Sequence, residues 1–304
     1  MKNACGYRQE AFAMDSLKAY WVERLRQDES VISVAAVDNP SLFSAVTDGF
    51  DIVLLVVSSN NERAHQQVHY IKDNRRIQER WISPDTLDEL ILRGEYRNVI
   101  YWILKGEILL DRDMYLETLR HKVLEFPLPL REHKLLIEFS KFLRCYSQSK
   151  EYILDEHLLD AYNNILEALH HWARIVIIES GNHPEVTIWR QVKTINPGVY
   201  KLYEELTLSK ETLKQRVQLV LLASEFSVMS KMERCCRPLI ELLASREEAW
   251  SLQELQQQPE LADIKADLPL LLNKLVKKSL AKEIVFTHDP ELSVLEMRYK
   301  DVKS

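Results

Sequence analysis

The chain has 304 residues, 46% of them hydrophobic and 28% charged, the composition of an ordinary folded protein long enough for two or three domains. Its net charge of −6 gives no broad attraction for nucleic acid or an anionic membrane, and no segment approaches the roughly 18 uninterrupted apolar residues of a membrane span. Six scattered glycines cannot build the phosphate cradle of a P-loop or a dinucleotide-binding turn.

Residues 16–27 (SLKAYWVERLRQ) carry apolar side chains at helical spacing, and VISVAAV (31–37), IVLLVV (52–57), RIQERWI (76–82) and EILLD (107–111) have strand character. PDTLDELILRG opens with Pro84, places acids in its first turn and closes at Gly94, which predicts a helix. Mixed strand and helix signals thus define an α/β domain over 1–125. From 126 to 228 the strand signals vanish, and long helical patterns are separated by turn chemistry at Phe126-Pro127-Leu128-Pro129, Gly181-Asn182-His183-Pro184 and Asn196-Pro197-Gly198. A bundle of four or five helices is expected there. Over 229–304, MERCCRPLIELLAS, SLQELQQQPEL and DLPLLLNKLVKKSL read as helices, and EIVFT and SVLEMRY as the two strands of a hairpin. Three helices followed by a hairpin is the plan of a winged helix-turn-helix.

Cys5, Cys145, Cys235 and Cys236 fit neither a metal-binding spacing nor a disulfide framework, so reduced thiols are expected. The N-terminal residues MKNACGYRQEAFAMDS lack the apolar core of an export signal, and a cytoplasmic address is expected.

The stretch TDGFDIVLLVV places Asp48 and Asp51 at the mouth of an apolar strand, with Gly49 in the turn between them. With VISVAAV-DNPS ahead of it, the N-terminal region resembles the nucleotidyltransferase fold of the DNA polymerase β superfamily, in particular its small bacterial members with a helical substrate domain behind it. In that family a Gly-Ser pair turns toward the nucleotide phosphates and an Asp-x-Asp pair opens the next strand. Asp51 falls on the first acid, Val53 stands at the second, and Pro40-Ser41 replaces Gly-Ser. The resemblance covers most of 1–125 in outline and implies an α+β chain: a nucleotidyltransferase-like mixed-sheet domain, a helical bundle, then the winged helix-turn-helix.

It also implies an activity, transfer of a nucleoside monophosphate from an NTP to a small-molecule hydroxyl with Mg²⁺. Such chemistry needs carboxylates converging on the metal ions. Asp48, Asp51 and Glu79 are the candidate metal ligands, with Ser41 on phosphate. ALHHWARIVIIESGNHPEVTIWRQVKTINPGVYKLYEEL resembles the helical substrate-binding domain of aminoglycoside-type nucleotidyltransferases, whose wall can offer a general base. Glu167, four residues before His171 and on the same helical face, is the candidate. His170 and His171 are consecutive and splay apart, so they cannot share one metal, and Trp172, Trp189, Tyr200 and Tyr203 read as bundle core. Arg174 and His183 have eight residues between them, outside the Arg-x(4–6)-His spacing of helical ribonucleases.

Lys274, Lys277, Lys278 and Lys282 gather near the end of the third C-terminal helix. Yet residues 231–304 carry 12 Lys and Arg against 13 Asp and Glu, a poor start for phosphate binding. Packing or a protein partner is expected there ahead of DNA. The rival functional class is therefore a non-enzymatic regulator or adaptor that uses the winged helix to contact DNA or a protein.

Overall fold

In the computed structural model, residues 16–39, 46–93, 97–185, 187–289 and 294–302 are described. The chain forms two compact units, Met1–Pro127 and Leu128–Ser304.

The first unit is built on a five-stranded sheet. An unbroken aliphatic run makes β2 (Ile52–Ser58) its central strand, buried at every position. It pairs antiparallel with β1 (Val31–Asp38) and parallel with β4 (Arg75–Ile82). β3 (Gln67–Lys72) and β5 (Glu107–Asp111) are the outer strands, giving the order β3-β4-β2-β1-β5. β3 is absent from the sequence expectations. It is the partner of a tight hairpin whose turn residues Asp73 and Asn74 take φ of 51° and 60°, the left-handed conformation that two-residue hairpin turns require.

Helix α1 (residues 16–26) lies on one face of this sheet. Leu17, Trp21 and Leu25 recur at helical spacing and pack on Val34, Ala36, Leu54, Val56, Ile77 and Trp81. Lys18, buried at the helix start, donates to Asp38 Oδ2 (2.8 Å) and Glu107 Oε2 (2.6 Å), which ties α1 to the ends of β1 and β5. α2 (Pro84–Arg93) follows β4, then α3 (Arg97–Lys105) and α4 (Tyr115–Glu125). Close approach of α3 to β1 is set at Gly106, where an added Cβ would stand 2.4 Å from the Trp102 carbonyl oxygen and 3.3 Å from Ala35 Cβ.

The second unit opens with two long paired helices, α5 (Leu128–Leu154) and α6 (Leu158–Glu179). Fully buried Phe139, Phe142, Leu143, Ile165, Leu169 and Ile177 contribute to its core. α7 (Ile188–Ile195), α8 (Pro197–Leu208) and α9 (Leu213–Ser227) complete the bundle. Thr212 and Gln215 form a reciprocal capping box at the start of α9.

The segment expected as one helix over MERCCRPLIELLAS is instead α10 (Met232–Cys235) and α11 (Arg237–Ala244), divided where Pro238 can occupy only a first turn. α12 (Leu252–Gln256) and a 3-10 turn follow. Then come α13 (Leu268–Lys277), with Pro269 in its first turn, and the hairpin of β6 (Ala281–Asp289) and β7 (Val294–Asp301).

Candidate functional site

Strand alternation decides where the candidate acids of the first unit point. On β2 and β4, Leu54, Val56, Ile77 and Trp81 face α1, and Glu79 belongs to that set. It is fully buried, and both its oxygens accept from Arg24 Nη2 of α1, at 3.1 and 2.9 Å. The Arg24 guanidinium lies 4.3 Å from the Trp21 ring centre and also reaches the Tyr70 hydroxyl.

Val53, Leu55, Gln78, Arg80 and Ile82 point to the opposite face, and the register sets Gln78 beside Val53. Gln78 is buried, holding Arg80 Nε through Oε1 (3.1 Å) and lying 3.2 Å from His69 Nε2. Arg80 stacks 5.0 Å from the Trp102 ring centre and donates to Asp48 Oδ2 at 3.0 Å. A cavity of about 160 Å³ opens here, lined among others by Leu55, His65, Arg80, Val99 and Trp102.

Asp48, at φ 50°, and Gly49, at φ 81°, do form the expected turn. Asp51 Oδ2 accepts the Arg76 backbone N–H at 2.8 Å, with Arg75 Nη1 3.8 Å from its other oxygen. The structure therefore does not bring Asp48, Asp51 and Glu79 together as one group. Glu79 lies across the sheet from the Asp48–Arg80 pair, because one residue along a strand reverses the face. The side chain beside Val53 is the amide of Gln78, a position the sequence reading missed by one residue. Ser41 falls outside the described residues.

In the second unit, Glu167 and His171 share a face of α6 as expected, and both line an open groove of about 310 Å³ with Asn163, Leu166, His170 and Arg174. His171 Nδ1 lies 2.6 Å from Glu138 Oε2 on α5, and Arg174 Nη1 lies 3.4 Å from the same oxygen. Burial alone would raise the Glu138 carboxyl, but His171 and Arg174 outweigh it and hold its pKa below the ordinary value. Cys145 of α5 completes a cluster that its sequence spacing concealed: its Sγ, a Glu167 oxygen and a His171 ring nitrogen lie within 4.8 Å of one another. Burial, then the nearby charges of Glu167 and Asp267, push the Cys145 thiol up to about 11.

Trp172 is core as expected, at 3% exposure. Trp189, Tyr200 and Tyr203 are only partly buried, which corrects the expectation for those three. Trp189 and Tyr203 stack at 3.9 Å between ring centres with His170 edge-on to both, so the aromatic pair adjoins the groove through His170, which lines it.

Leu268, Leu271, Leu272 and Leu275 turn the apolar face of α13 inward. The helix also packs on α5, where the Arg144 guanidinium pairs with Asp267 just before its first turn. Exposed Lys277 and Lys278 follow. Burial, then the neighbouring charges of Lys277 and Lys150, lower the pKa of Lys274.

Three family models match in the same order as these parts: "Nucleotidyltransferase-like" over residues 14–131, "YgxA-like substrate binding domain" over 132–231 and "Helix-turn-helix domain" over 237–287. The Bacillus subtilis (strain 168) protein YgxA is 35% identical over 251 residues, 83% of this chain and 85% of its own. The chain belongs to the YgxA-like family of nucleotidyltransferase-like proteins. Its likeness extends to the crystal structure of a nucleotidyltransferase-like protein from Exiguobacterium sibiricum 255-15, with a TM-score of 0.82 and 29% identity over 95% of this chain and 99% of that one.

Nucleotidyltransferase-like folds generally use an NTP and a divalent metal. Among the described residues of this YgxA-like chain, Asp48, Asp51 and Glu79 do not converge on one point as a two-metal centre needs. Among the described residues, the one group of three His, Cys, Asp or Glu side chains with converging ligand atoms is Cys145, Glu167 and His171. The candidate carboxylates of the sheet instead face arginines or a backbone N–H. No helix of the described residues is long and apolar enough to cross a membrane.

Proposed function

We propose that this nucleotidyltransferase-like protein works as a ligand-responsive adaptor rather than as a two-metal transferase. The observation that carries this reading is the pairing of the candidate acids with arginines: Arg80 on Asp48, Arg75 at 3.8 Å from an Asp51 that also accepts the Arg76 N–H, and Arg24 on a Glu79 that faces the other side of the sheet. Two-metal phosphoryl transfer relies on uncompensated carboxylates aimed at one point, and a guanidinium at each would repel the ions. The groove beside Glu167 and the Trp189–Tyr203 pair supplies the ligand site of the helical domain.

The winged helix contacts a protein partner in this reading. α13 buries its leucines and packs on α5, which leaves few of its residues for a DNA groove, and the segment as a whole is acidic.

The competing reading, transfer of a nucleoside monophosphate from an NTP to a small-molecule hydroxyl with Mg²⁺, draws on the family match. Thermal unfolding with each NTP, with and without Mg²⁺, separates the two, because a ligand that binds only the native state raises its apparent stability by mass action. Adaptor function predicts no Mg²⁺-dependent shift. A shift that needs Mg²⁺ and vanishes in Asp51→Asn would restore the transferase. Fluorescence anisotropy with duplex DNA should show no binding at low salt; salt-sensitive binding would replace the protein partner with DNA.

A further inference from the structure

We infer that the groove of the helical domain is a transition-metal site, in which Cys145 Sγ, a Glu167 carboxylate oxygen and His171 Nε2 hold one zinc-class divalent ion. This lies beyond the adaptor reading and does not depend on it. Cys145 Sγ, a Glu167 carboxylate oxygen and a His171 ring nitrogen already stand within 4.8 Å of one another. Donors at 2.0–2.3 Å in a tetrahedral site are about 3.5 Å apart, so small side-chain rotations close the cluster.

Its placement follows from the helices. Glu167 and His171 are separated by one turn of α6, and Cys145 comes from the facing helix α5. Side chains on a helix lean toward its N-terminus, so His171 reaches back toward Glu167.

A second, independent observation is the outer support. Glu138 Oε2 lies 2.6 Å from His171 Nδ1, with Arg174 Nη1 3.4 Å from that oxygen and 3.2 Å from the same nitrogen; donation from Nδ1 to the carboxylate leaves the Nε2 lone pair for the ion. A carboxylate that orients a histidine in this way is the usual companion of a metal-ligating imidazole. The donor chemistry selects the ion, since thiolate and imidazole favour zinc over the hard cations that take oxygen ligands only.

Burial is graded in the manner of an open site: Cys145 and His171 are buried, while Glu167 is exposed at the groove. Three protein ligands leave a fourth position facing the groove, for water or for a nitrogen, oxygen or sulfur donor of the bound ligand. Loading the ion converts the Cys145 thiol to a thiolate and releases its proton to solvent. Thiolate and carboxylate then balance the 2+ charge, and Glu138 remains paired with Arg174.

Titration of the metal-free full chain with Co²⁺, in a phosphine reductant, reads this directly through the thiolate-to-cobalt charge-transfer band. One equivalent should produce the band, and Zn²⁺ should displace it. Cys145→Ser should abolish it, whereas Cys235→Ser with Cys236→Ser should leave it unchanged. Glu138→Gln should keep the band with roughly 10–100-fold weaker binding, the effect of losing an outer-shell partner. X-ray absorption of the Zn²⁺-loaded native protein adds a measurement that needs no variant, and should show one sulfur among nitrogen and oxygen neighbours. Absence of the band in the folded native protein, its persistence in Cys145→Ser, or a sulfur-free zinc shell would overturn the site.

Discussion

Replacing Arg24 with Met tests whether Glu79 is a structural partner of α1 or a metal ligand. Glu79 has a fully buried side chain, while Arg24 retains 37% exposure, so removing Arg24 strands a carboxylate that has no water of its own. Breaking a buried ion pair costs about 3–5 kcal/mol, and the water that already reaches Arg24 places this case near 3 kcal/mol. At roughly 2–4 °C per kcal/mol for a chain of 150–250 residues, the melting temperature should fall by about 9 °C. Arg24→Met with Glu79→Leu should recover most of the loss, because both charges leave together and their replacements adjoin Trp21, Leu54 and Tyr70. Circular dichroism melts of the two single variants and the double variant give the coupling. If Arg24→Met melts with the native protein, while Glu79→Gln spares stability and abolishes Mg²⁺-dependent nucleotide binding, the structural assignment of Glu79 is wrong.

Other consequences are as direct. Burial lowers Lys134 to about 8 against an unfolded value near 10.5, with Glu138 only partly opposing. Between those values the unfolded chain binds more protons, so stability should rise as pH goes from 8 to 10.5; Lys134→Met should remove that rise and add about 3 kcal/mol at pH 7, read from urea unfolding. The Ser251 N–H and Arg246 hold Glu254 down at about 2, so its contribution is complete above the unfolded value near 4.5 and lost as pH falls toward 2. Glu254→Gln should flatten that part of the acid-unfolding curve, and an unchanged curve would refute the assignment. Gly106→Ala forces a Cβ to 2.4 Å from the Trp102 carbonyl oxygen and should cost about 1–3 kcal/mol in denaturant unfolding.

Much of the architecture was legible because it rests on local patterns. The aliphatic run of β2, the period of α1 and the Pro and Gly punctuation of the helical region each announce themselves within a dozen residues. β3 escaped notice because its alternation is largely polar, and its pairing with β4 depends on the turn at Asp73-Asn74. The apolar spacing of MERCCRPLIELLAS continues through a proline that starts a new helix, so the segment reads as one helix where the structure forms two.

What the sequence determined by itself was the order of the parts and the reach of their apolar faces, since those depend on neighbours along the chain. Only the tertiary structure decided which charges meet. Strand register sends Glu79 to Arg24 and leaves Gln78 beside Val53, two outcomes separated by a single residue. The pairing of α5 with α6 brings Cys145 to Glu167 and His171 across more than twenty positions of sequence, a distance that no spacing motif spans. The physical reason is common to both: side-chain direction is set locally by the backbone period, but the partner it finds is set by which elements pack together.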